Sequence, residues 1–320
     1  MKSRTRIKTA VIGVGYLGRL HAQKYAMLEG AEFVGVFDAN PERAAIVAAE
    51  FKTKAFHDMK DLFGKVDAVS VVTPTEHHYK VGMEFLSRGV HVMMEKPITT
   101  TTDEARSLVA EAKRTGTVLQ VGHLERFNGA MYALGDRIKN PIFIEAFRLS
   151  PFPNRSTDVD VVLDVMIHDI DLVLSMVSSD PISVEASGMP VVSPGKADFA
   201  NARVTFRNGC VASITASRVS KERARKINVY QQGAIISIDY GAQGLTVTNT
   251  VAGAPGTTAT QADEEVTVEK KDAILEELKS FLDSIATGRP PAVSGDDGLR
   301  ALELAERIQR ALRAGTPKTV

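Results

Sequence analysis

The chain has 320 residues, of which 44% are hydrophobic and 24% are charged, a balance typical of a globular protein with a sizeable core. Lys plus Arg and Asp plus Glu number 39 each, so no basic surplus indicates nucleic acid as a partner. No apolar segment approaches the length of a membrane-spanning helix, and we expect no membrane association. A single cysteine, Cys210, excludes an internal disulfide framework and favours a reducing, cytoplasmic location.

The first part of the chain, from Ile7 to about Gly122, alternates between predicted strands and predicted helices. The strands are Thr9–Val14, Phe33–Phe37, Ala68–Val72, His91–Met94 and Val118–Val121, and the helices are Leu17–Leu28, Pro41–Phe51, His78–Ser87 and Thr102–Thr115. Such alternation is typical of an α/β domain with a doubly wound parallel sheet covered by helices on both faces. The chain length favours two domains, and we assign residues 1–125 to this first one.

A glycine-rich turn follows the first predicted strand, with the pattern Gly13-x-Gly15-x-x-Gly18. In a dinucleotide-binding turn the first glycine permits the tight turn, the second leaves space for a pyrophosphate, and the third lets the helix pack closely on the strand. An ordinary strand, turn and helix is the alternative. Asp38 ends the next predicted strand, where its carboxylate can accept hydrogen bonds from both hydroxyls of an adenosine ribose. The turn residues that we assign to the cofactor are Gly13, Gly15, Tyr16, Leu17 and Gly18.

The choice between the two nicotinamide dinucleotides depends on the same aspartate. Asp38 would repel a 2′-phosphate, which favours NAD over NADP. Arg43 lies five residues further on, and its positive charge is the feature that could reverse this preference.

Beyond Arg126 the pattern changes to runs of short strands. The predicted elements are helix Gly129–Lys139, strand Ile142–Arg148, helix Val159–Met176 and strands Ile182–Gly188, Ala200–Phe206, Val211–Ser217, Lys226–Tyr230, Ala234–Asp239 and Leu245–Asn249. Strands grouped after a helix indicate an α+β domain with a large, mainly antiparallel open sheet, which we assign to residues 126–320. Asn249–Asp263 is predicted as an exposed loop, and two amphipathic helices close the chain.

Two predicted strand ends carry residues suited to a ligand site. Glu95-Lys96-Pro97 directly follows a strand, and the carboxyl ends of parallel strands form the ligand crevice in open sheets. We therefore expect Lys96 at the cofactor site, the alternative being a solvated loop charge. His78 follows the neighbouring strand end and either caps a helix or contacts the cofactor. The residues of these two strand ends that we assign to the cofactor are Thr73, Pro74, His78, Glu95 and Lys96.

Asp164 and His168 lie inside a predicted helix. Residues four apart lie on one helical face, so both side chains can address one bound substrate. A structural His–Asp pair is an alternative; a metal site that adds Asp171 is less favoured, because no other His or Cys lies at ligand spacing, and we predict no metal. When an alcohol is oxidised, a base takes the hydroxyl proton, which suits His168, and Lys96 could stabilise the alkoxide.

Several polar residues could bind an anionic substrate group such as a diphosphate. They are Arg126, Asn128, Arg148 and Arg155. Each arginine could equally be a surface or ion-pair residue.

Four motifs resemble, in order and spacing, those of the Gfo/Idh/MocA family of sugar oxidoreductases: the glycine turn, Thr73-Pro74 with His78, Glu95-Lys96-Pro97, and Asp164-x-x-x-His168. The resemblance covers most of the chain. It implies an N-terminal Rossmann domain and a C-terminal domain whose open sheet forms the interface of a homodimer or homotetramer. It also implies that Lys96 and His168 flank the reacting carbon, with His168 as the acid/base and Asp164 beside it. Residues 158–162 depart from the family pattern, in which glycines commonly precede the aspartate, and this bears on the substrate pocket.

A narrower resemblance, carried by Gly122–Asn128 and Ser150–Asp169, is to family members that oxidise the 3-hydroxyl of UDP-N-acetylglucosamine or of its uronic acid. The sequence thus predicts an NAD-dependent oxidoreductase acting on a secondary hydroxyl of a sugar or nucleotide sugar. Three alternatives stay open: a dehydrogenase of a free sugar or inositol-like polyol, a net non-redox glycosidase with bound NAD, and a catalytically idle dinucleotide-binding sensor.

Overall fold

The computed structural model describes residues 6–152, 160–251 and 260–315. The chain divides into two compact units: Met1–Leu124 with Asp272–Leu299, and Glu125–Lys271 with Arg300–Val320. Residues 272–299, assigned to the second domain from the sequence, therefore lie in the first unit. No helix in the described ranges combines the length and the apolar character needed to cross a membrane.

The described helices occur in both units. They are α1 (Tyr16–Met27), α2 (Pro41–Glu50), α3 (His78–Leu86), α4 (Thr102–Thr115), α5 (Gly129–Leu134), α6 (Ile167–Met176), α7 (Ala273–Thr287) and α8 (Gly295–Gly315). Local signals fix where some of them begin. Asn40 caps α2 and Pro41 takes its first position, which suits a residue without an N–H. Thr101 and Glu104 form a reciprocal capping box at the start of α4.

A parallel sheet forms the centre of the first unit. Its strands are β1 (Ile7–Ile12), β2 (Ala31–Phe37), β3 (Lys54–Phe56), β4 (Ala68–Val71), β5 (His91–Met94) and β6 (Leu119–Val121). They lie in the order β3-β2-β1-β4-β5-β6, and every pairing is parallel. The chain reverses direction across the sheet between β1 and β4, and such a switch point is where open α/β sheets bind ligands.

Helix α7 belongs to the first unit because its apolar face enters the core of that unit. Leu278 and Phe281 are fully buried and share one apolar cluster with Tyr25 of α1. Lys24 of α1 also pairs with Asp272, the N-cap of α7, at 2.6 Å. The sequence predicted an amphipathic helix here without its partner, because periodicity shows that a face is buried but not against what.

The second unit is built on a larger sheet. Its strands are β7 (Phe143–Leu149), β8 (Pro181–Met189), β9 (Phe199–Phe206), β10 (Val211–Ser217), β11 (Ala224–Gln231), β12 (Ala234–Asp239), β13 (Gly244–Val251) and β14 (Thr260–Val266). Their order is β14-β13-β12-β11-β7-β10-β9-β8. Among the strands within the described ranges, only β7 and β10 pair in parallel, so the prediction of a mainly antiparallel sheet after a Rossmann-like domain is confirmed.

One face of this sheet is buried and the other is partly open. Side chains of β7 alternate between half-buried and buried. Ala146 of β7 and Ile214 of β10 lie on the buried face in one cluster with Ile170 and Val173 of α6. Phe143, on the other face, is only half-buried.

Two bounds predicted for the second unit are wrong. Helix α5 ends at Leu134, not at Lys139, because the next residue, Gly135, leaves helical angles with a φ of +49°. The segment 249–263 is not a loop throughout, since β13 continues to Val251 and β14 begins at Thr260; residues 252–259 lie outside the described ranges.

Candidate active site

The glycine turn after β1 has a backbone that requires glycine at two of its three positions. Gly13 has a φ of +85°, and a Cβ there would lie 2.7 Å from the carbonyl oxygen of Val72. A Cβ on Gly18 would overlap the carbonyl oxygen of Gly13. A Cβ on Gly15 would meet no atom within 4 Å. Gly15 therefore borders open space, which is what a bound pyrophosphate needs.

The N-terminus of α1 opens onto this space. Gly15 is the N-cap and supplies no side-chain cap bond, and the first turn has no acidic residue. Tyr16 is 74% exposed beside it, and Leu17 is half-buried. Free helical N–H groups and the positive end of the helix dipole attract phosphate, so these residues fit the pyrophosphate of a dinucleotide.

Asp38 ties the turn to the end of β2. Its Oδ2 accepts the Val14 N–H at 2.8 Å, and its Oδ1 accepts the Asn40 N–H at 2.8 Å. A carboxylate has about four lone-pair positions, so it retains capacity for the ribose hydroxyls. Arg43 approaches Oδ1 at 3.5 Å with a side chain that is 51% exposed, which leaves the negative charge of Asp38 only partly offset.

A cavity of about 620 Å³ extends from the glycine turn along the carboxyl ends of the strands. Thr73 and Pro74, both predicted cofactor residues, line it together with Met59, His77 and Lys80. The last three were not predicted. His77 and Lys80 could have been found from their position just after the Thr73-Pro74 strand end, whereas no local signal marks Met59.

His78 links the ends of β4 and β5 and does not face the cavity. Its ring is buried, with Nδ1 2.9 Å from the Pro97 carbonyl oxygen and Nε2 2.9 Å from that of Thr73. Burial lowers the pKa of His78. A neutral imidazole donates through one nitrogen only, so one of the two carbonyls accepts its N–H. His78 therefore joins the two strand ends, and its contact with the cofactor stays a prediction.

Glu95 and Lys96 lie at the carboxyl end of β5, as expected for residues of the ligand crevice. Glu95 is buried, and its Oε1 lies 3.2 Å from Nε2 of His21 on α1. Lys96 is half-buried, and the Lys96–Pro97 peptide bond is cis. The two adjacent side chains therefore lie in different environments, with Glu95 inside the unit and Lys96 partly open to solvent.

In the second unit, Asp164 and His168 lie on a helix with an irregular first turn. Residues Val162–Met166 form a π-helical turn that continues into α6. Such turns occur frequently at functional sites. Asp164 and His168 are half-buried, whereas Ile167 and Ile170 are fully buried. The Asp–His pair thus occupies the accessible side of an otherwise buried helix.

Two predicted substrate arginines are held by carboxylates of the protein. Arg126 donates to Asp171 through Nε and Nη2 at 2.7 and 2.8 Å. Arg148 donates to Asp169 at 2.9 and 3.0 Å and to Glu125 at 2.8 Å. Burial lowers the pKa of Arg148, but these carboxylates more than offset that effect and raise the pKa above its ordinary value. Both guanidinium charges are therefore compensated before a substrate binds.

The pairing of these acids with arginines was not predicted, and Asp171 was considered only as a metal ligand, although charged residues within an apolar helix signal that partners exist. Asp169 and Asp171 follow His168 by one and three residues. Asn128 also has protein partners: its side chain caps α5 by accepting the Ala130 N–H, and it donates to the Tyr240 carbonyl oxygen at 3.2 Å. Arg155 lies outside the described residues.

Comparison with protein families accounts for both units. Residues 7–123 match the model of an oxidoreductase family with an NAD-binding Rossmann fold, and residues 145–237 match the Gfo/Idh/MocA C-terminal domain. The chain belongs to the Gfo/Idh/MocA family. Membership confirms the predicted fold and enzyme class, an NAD(P)-dependent dehydrogenase acting on a CH–OH group, and agrees with NAD as the cofactor.

The UDP-N-acetylglucosamine 3-dehydrogenase of Acidithiobacillus ferrooxidans is 42% identical to this family member over 313 residues, covering 96% of this chain and 98% of that protein. A solved structure of that enzyme matches with a TM-score of 0.90 at 41% identity, over 97% of this chain and 99% of the other. The myo-inositol 2-dehydrogenase of Thermotoga maritima is 26% identical and covers 96% of each chain.

Proposed function

We propose that this chain oxidises the 3-hydroxyl of a UDP-linked N-acetylhexosamine, with NAD as the hydride acceptor. The observation that carries the proposal is the 42% identity, over nearly the whole chain, to a UDP-N-acetylglucosamine 3-dehydrogenase. Inositol dehydrogenases of comparable coverage are 25–27% identical. Because this similarity extends through both units, it favours a shared substrate class as well as a shared cofactor.

Bound NAD would supply the hydride acceptor for the carbon that bears the hydroxyl. The glycine turn would hold its pyrophosphate and Asp38 its adenosine ribose. Lys96 would donate a hydrogen bond to the substrate oxygen, and its positive charge would stabilise the negative charge that develops as the hydroxyl proton leaves. His168 would accept that proton as general base and return it in the reverse reaction.

The local structure around His168 supports its role. A half-buried imidazole remains reachable by a substrate, and the neighbouring Asp169 and Asp171 anchor its helix through bidentate pairs to arginines. General bases act best when their position is fixed before the substrate binds. Asp164, on the same helical side one turn earlier, would orient the imidazole and stabilise its cationic form.

The test is NADH formation across a panel of UDP-N-acetylglucosamine, UDP-N-acetylgalactosamine, UDP-glucose, free N-acetylglucosamine and myo-inositol. We expect turnover on the UDP-N-acetylhexosamines, with a product lighter by two hydrogen atoms and a carbonyl at C3. Turnover on myo-inositol or a free sugar alone would replace this function with a polyol dehydrogenase. Bond cleavage without net NADH would indicate the non-redox glycosidase, and cofactor binding without any turnover would indicate the sensor.

We also propose a cytoplasmic homo-oligomer that assembles through the open face of the second sheet. Phe143 and Tyr230 lie side by side on that face, with ring centroids 6.1 Å apart, and Tyr230 donates to Glu145 at 2.8 Å. Half-buried aromatic side chains on a broad sheet face are suited to a subunit interface. The one cysteine, Cys210, is a buried free thiol, which is compatible with a reducing compartment. Light scattering coupled to size-exclusion chromatography should give the mass of an oligomer, and the mass of a monomer would refute the assembly.

A further inference from the structure

Three ionisable side chains meet in the interior of the first unit, adjacent in sequence to Lys96. They are His21 of α1, Glu95 after β5 and Glu277 of α7, with exposures of 0%, 8% and 1%. One nitrogen of the imidazole and one oxygen of each carboxyl group all lie within 4.8 Å of one another. Neither the glycine turn nor the cavity beside it uses these residues, so they require a separate explanation.

The contacts of the two carboxyl groups differ. Glu95 has the His21 ring at 3.2 Å, and its Oε2 accepts the backbone N–H of Lys96 at 3.2 Å. A Cβ on Gly122 would come within about 3.0 Å of the same carboxylate, so Glu95 is closely packed. Glu277 Oε1, by contrast, is buried without a hydrogen-bond partner, and neither His21 nitrogen makes a hydrogen bond of good geometry.

Charge balance limits this cluster to one ionised carboxylate. Two like charges this close in a buried site disfavour each other strongly. Glu95 is the better placed to be ionised, because an imidazole and an amide N–H face it. The pKa directions agree: burial and the charge of Glu95 raise the pKa of Glu277 well above its ordinary value, whereas His21 and Lys96 outweigh burial and lower the pKa of Glu95.

The other titratable groups around the cluster do not change this assignment. Tyr25 of α1 donates to or accepts from Ser70 at 2.8 Å, and burial raises its pKa, so it stays neutral. Burial lowers the pKa of His78 of α3 more than the charge of Glu95 raises it, so its ring adds no positive charge to the cluster. The pair of Lys24 and Asp272 lies at the more exposed start of α7.

We propose that His21 and Glu277 are positioning residues, in which Glu277 is a neutral acid and the His21 ring packs against Glu95, so that the Glu95 carboxylate stays fixed on the Lys96 amide. The inference rests on the proposed function, in which Lys96 acts on the substrate oxygen. Fixing the backbone at Lys96 from inside the unit leaves the lysine side chain as the part that adjusts to the substrate.

The first test needs no substrate. A carboxyl that is neutral in the folded chain releases a proton on unfolding above about pH 4.5, so the unfolding equilibrium constant rises about tenfold per pH unit from this group alone. Urea unfolding of the full chain, of Glu277→Gln and of the matched control Glu276→Gln would be compared over several pH values. We expect the ratio of the wild-type constant to that of Glu277→Gln to rise about tenfold per pH unit, and the ratio for Glu276→Gln to stay nearly constant.

The second test concerns positioning. An amide resembles a neutral carboxyl group in shape and hydrogen bonding, so Glu277→Gln should keep kcat within about twofold of the wild type, whereas Glu277→Leu should lose about tenfold or more in kcat with an NAD dissociation constant within about threefold. The Gln variant should also keep its activity to higher pH, since it has no proton to lose. His21→Gln should lower kcat by a factor similar to that of Glu277→Leu.

The outcomes separate the alternatives. A pH-independent ratio in the unfolding experiment, or equal loss of kcat in Glu277→Gln and Glu277→Leu, would mean that Glu277 is ionised and would overturn the proposal. Histidine and carboxylate are also ligands of transition metals, so one metal ion per chain by elemental analysis, lost in Glu277→Gln, would overturn it as well. Absence of turnover on every alcohol would refute the proposed function, while the unfolding experiment would still decide the protonation state of Glu277.

Discussion

Two single glycine-to-alanine variants in the same turn should distinguish an effect on folding from an effect on cofactor binding. At Gly18 the new methyl group would overlap the carbonyl oxygen of Gly13, and overpacking of this kind costs about 1–3 kcal/mol. At Gly15, where φ is −63°, the methyl group meets no protein atom within 4 Å. There the poorer N-cap lowers the free energy of unfolding by roughly 0.5 kcal/mol, and the less flexible unfolded chain raises it by a similar amount. Gly15→Ala should therefore fold almost as well as the wild type, and Gly18→Ala should not.

Binding should distinguish Gly15→Ala from the wild type. Its methyl group would fill the space assigned to the pyrophosphate and remove at least one charge-assisted hydrogen bond of about 1.5–3 kcal/mol, which weakens NAD binding about 10- to 100-fold. Urea unfolding without cofactor and fluorescence titration with NAD measure the two effects. Gly30→Ala is the control, because its methyl group would contact only Leu282, at 3.8 Å. Wild-type NAD affinity in Gly15→Ala would show that the pyrophosphate binds elsewhere, and wild-type stability in Gly18→Ala would refute the packing argument.

Three further predictions concern cofactor choice, chemistry and stability. Asp38→Asn keeps an acceptor for the Val14 amide but loses the charge that repels a 2′-phosphate, so the preference for NAD over NADP in kcat/KM should narrow by about tenfold or more; an unchanged ratio would contradict that role. Lys96→Met and His168→Asn should each lower kcat by about two orders of magnitude or more while NAD binding survives, and near-normal turnover in either would refute its assignment. Asp198→Asn should lower the free energy of unfolding by about 3–5 kcal/mol in urea at neutral pH, because the buried Arg218 guanidinium loses the fully buried carboxylate that pairs with it at 2.8 Å.

Asp198 also predicts a pH dependence whose sign follows from its contacts. Its Oδ2 accepts the backbone N–H groups of Val191, Val192 and Ser193 at 2.6–2.9 Å. Burial alone would raise the pKa of Asp198, but these donors and Arg218 lower it below its ordinary value. Its contribution to stability is therefore present above the pKa of the unfolded carboxyl and is lost as the pH falls. This acid-side loss should be absent from the Asn variant.

Features set by short stretches of backbone were predictable from the sequence. Gly13 and Gly18 reveal the turn because the steric demand lies within a few residues, and β5 could be placed because its apolar run ends at Glu95. Strand β14 had no such signal: six of its seven side chains are exposed, so neither alternation nor an apolar run marks it. An edge strand exposed on both faces is defined by its backbone pairing with β13, which the sequence does not display.

Partners distant in sequence were the other limit. Arg126 and Asp171 are 45 residues apart, and Arg148 and Asp169 are 21 apart. An arginine looks the same in sequence whether it meets a substrate phosphate or a buried carboxylate, so these residues were reasonable substrate candidates. Only the fold shows that bidentate pairs already engage both guanidinium groups.

Because Arg126 and Arg148 already pair with carboxylates, we consider Arg225 as the cationic side chain that would bind an anionic group of the substrate. In the antiparallel pair of β7 and β11, Arg225 lies directly opposite Arg148, and residues opposite each other project on the same face of a sheet. Its side chain is 59% exposed, and Nη1 lies 4.0 Å from Glu125, beyond hydrogen-bonding distance. A guanidinium so weakly engaged is free to turn towards a diphosphate or a uronate, so we predict this role for Arg225.

Removing that charge should affect substrate binding more than chemistry. Loss of a charge-assisted contact of about 1.5–3 kcal/mol predicts that Arg225→Gln raises KM for the nucleotide sugar about tenfold or more, with kcat and the KM for NAD within about threefold. Arg207→Gln is the matched control, because Arg207 is exposed in the turn between β9 and β10, at the opposite end of the same sheet. An unchanged KM in Arg225→Gln, or an equal rise of KM in both variants, would show that Arg225 does not bind the anionic group of the substrate.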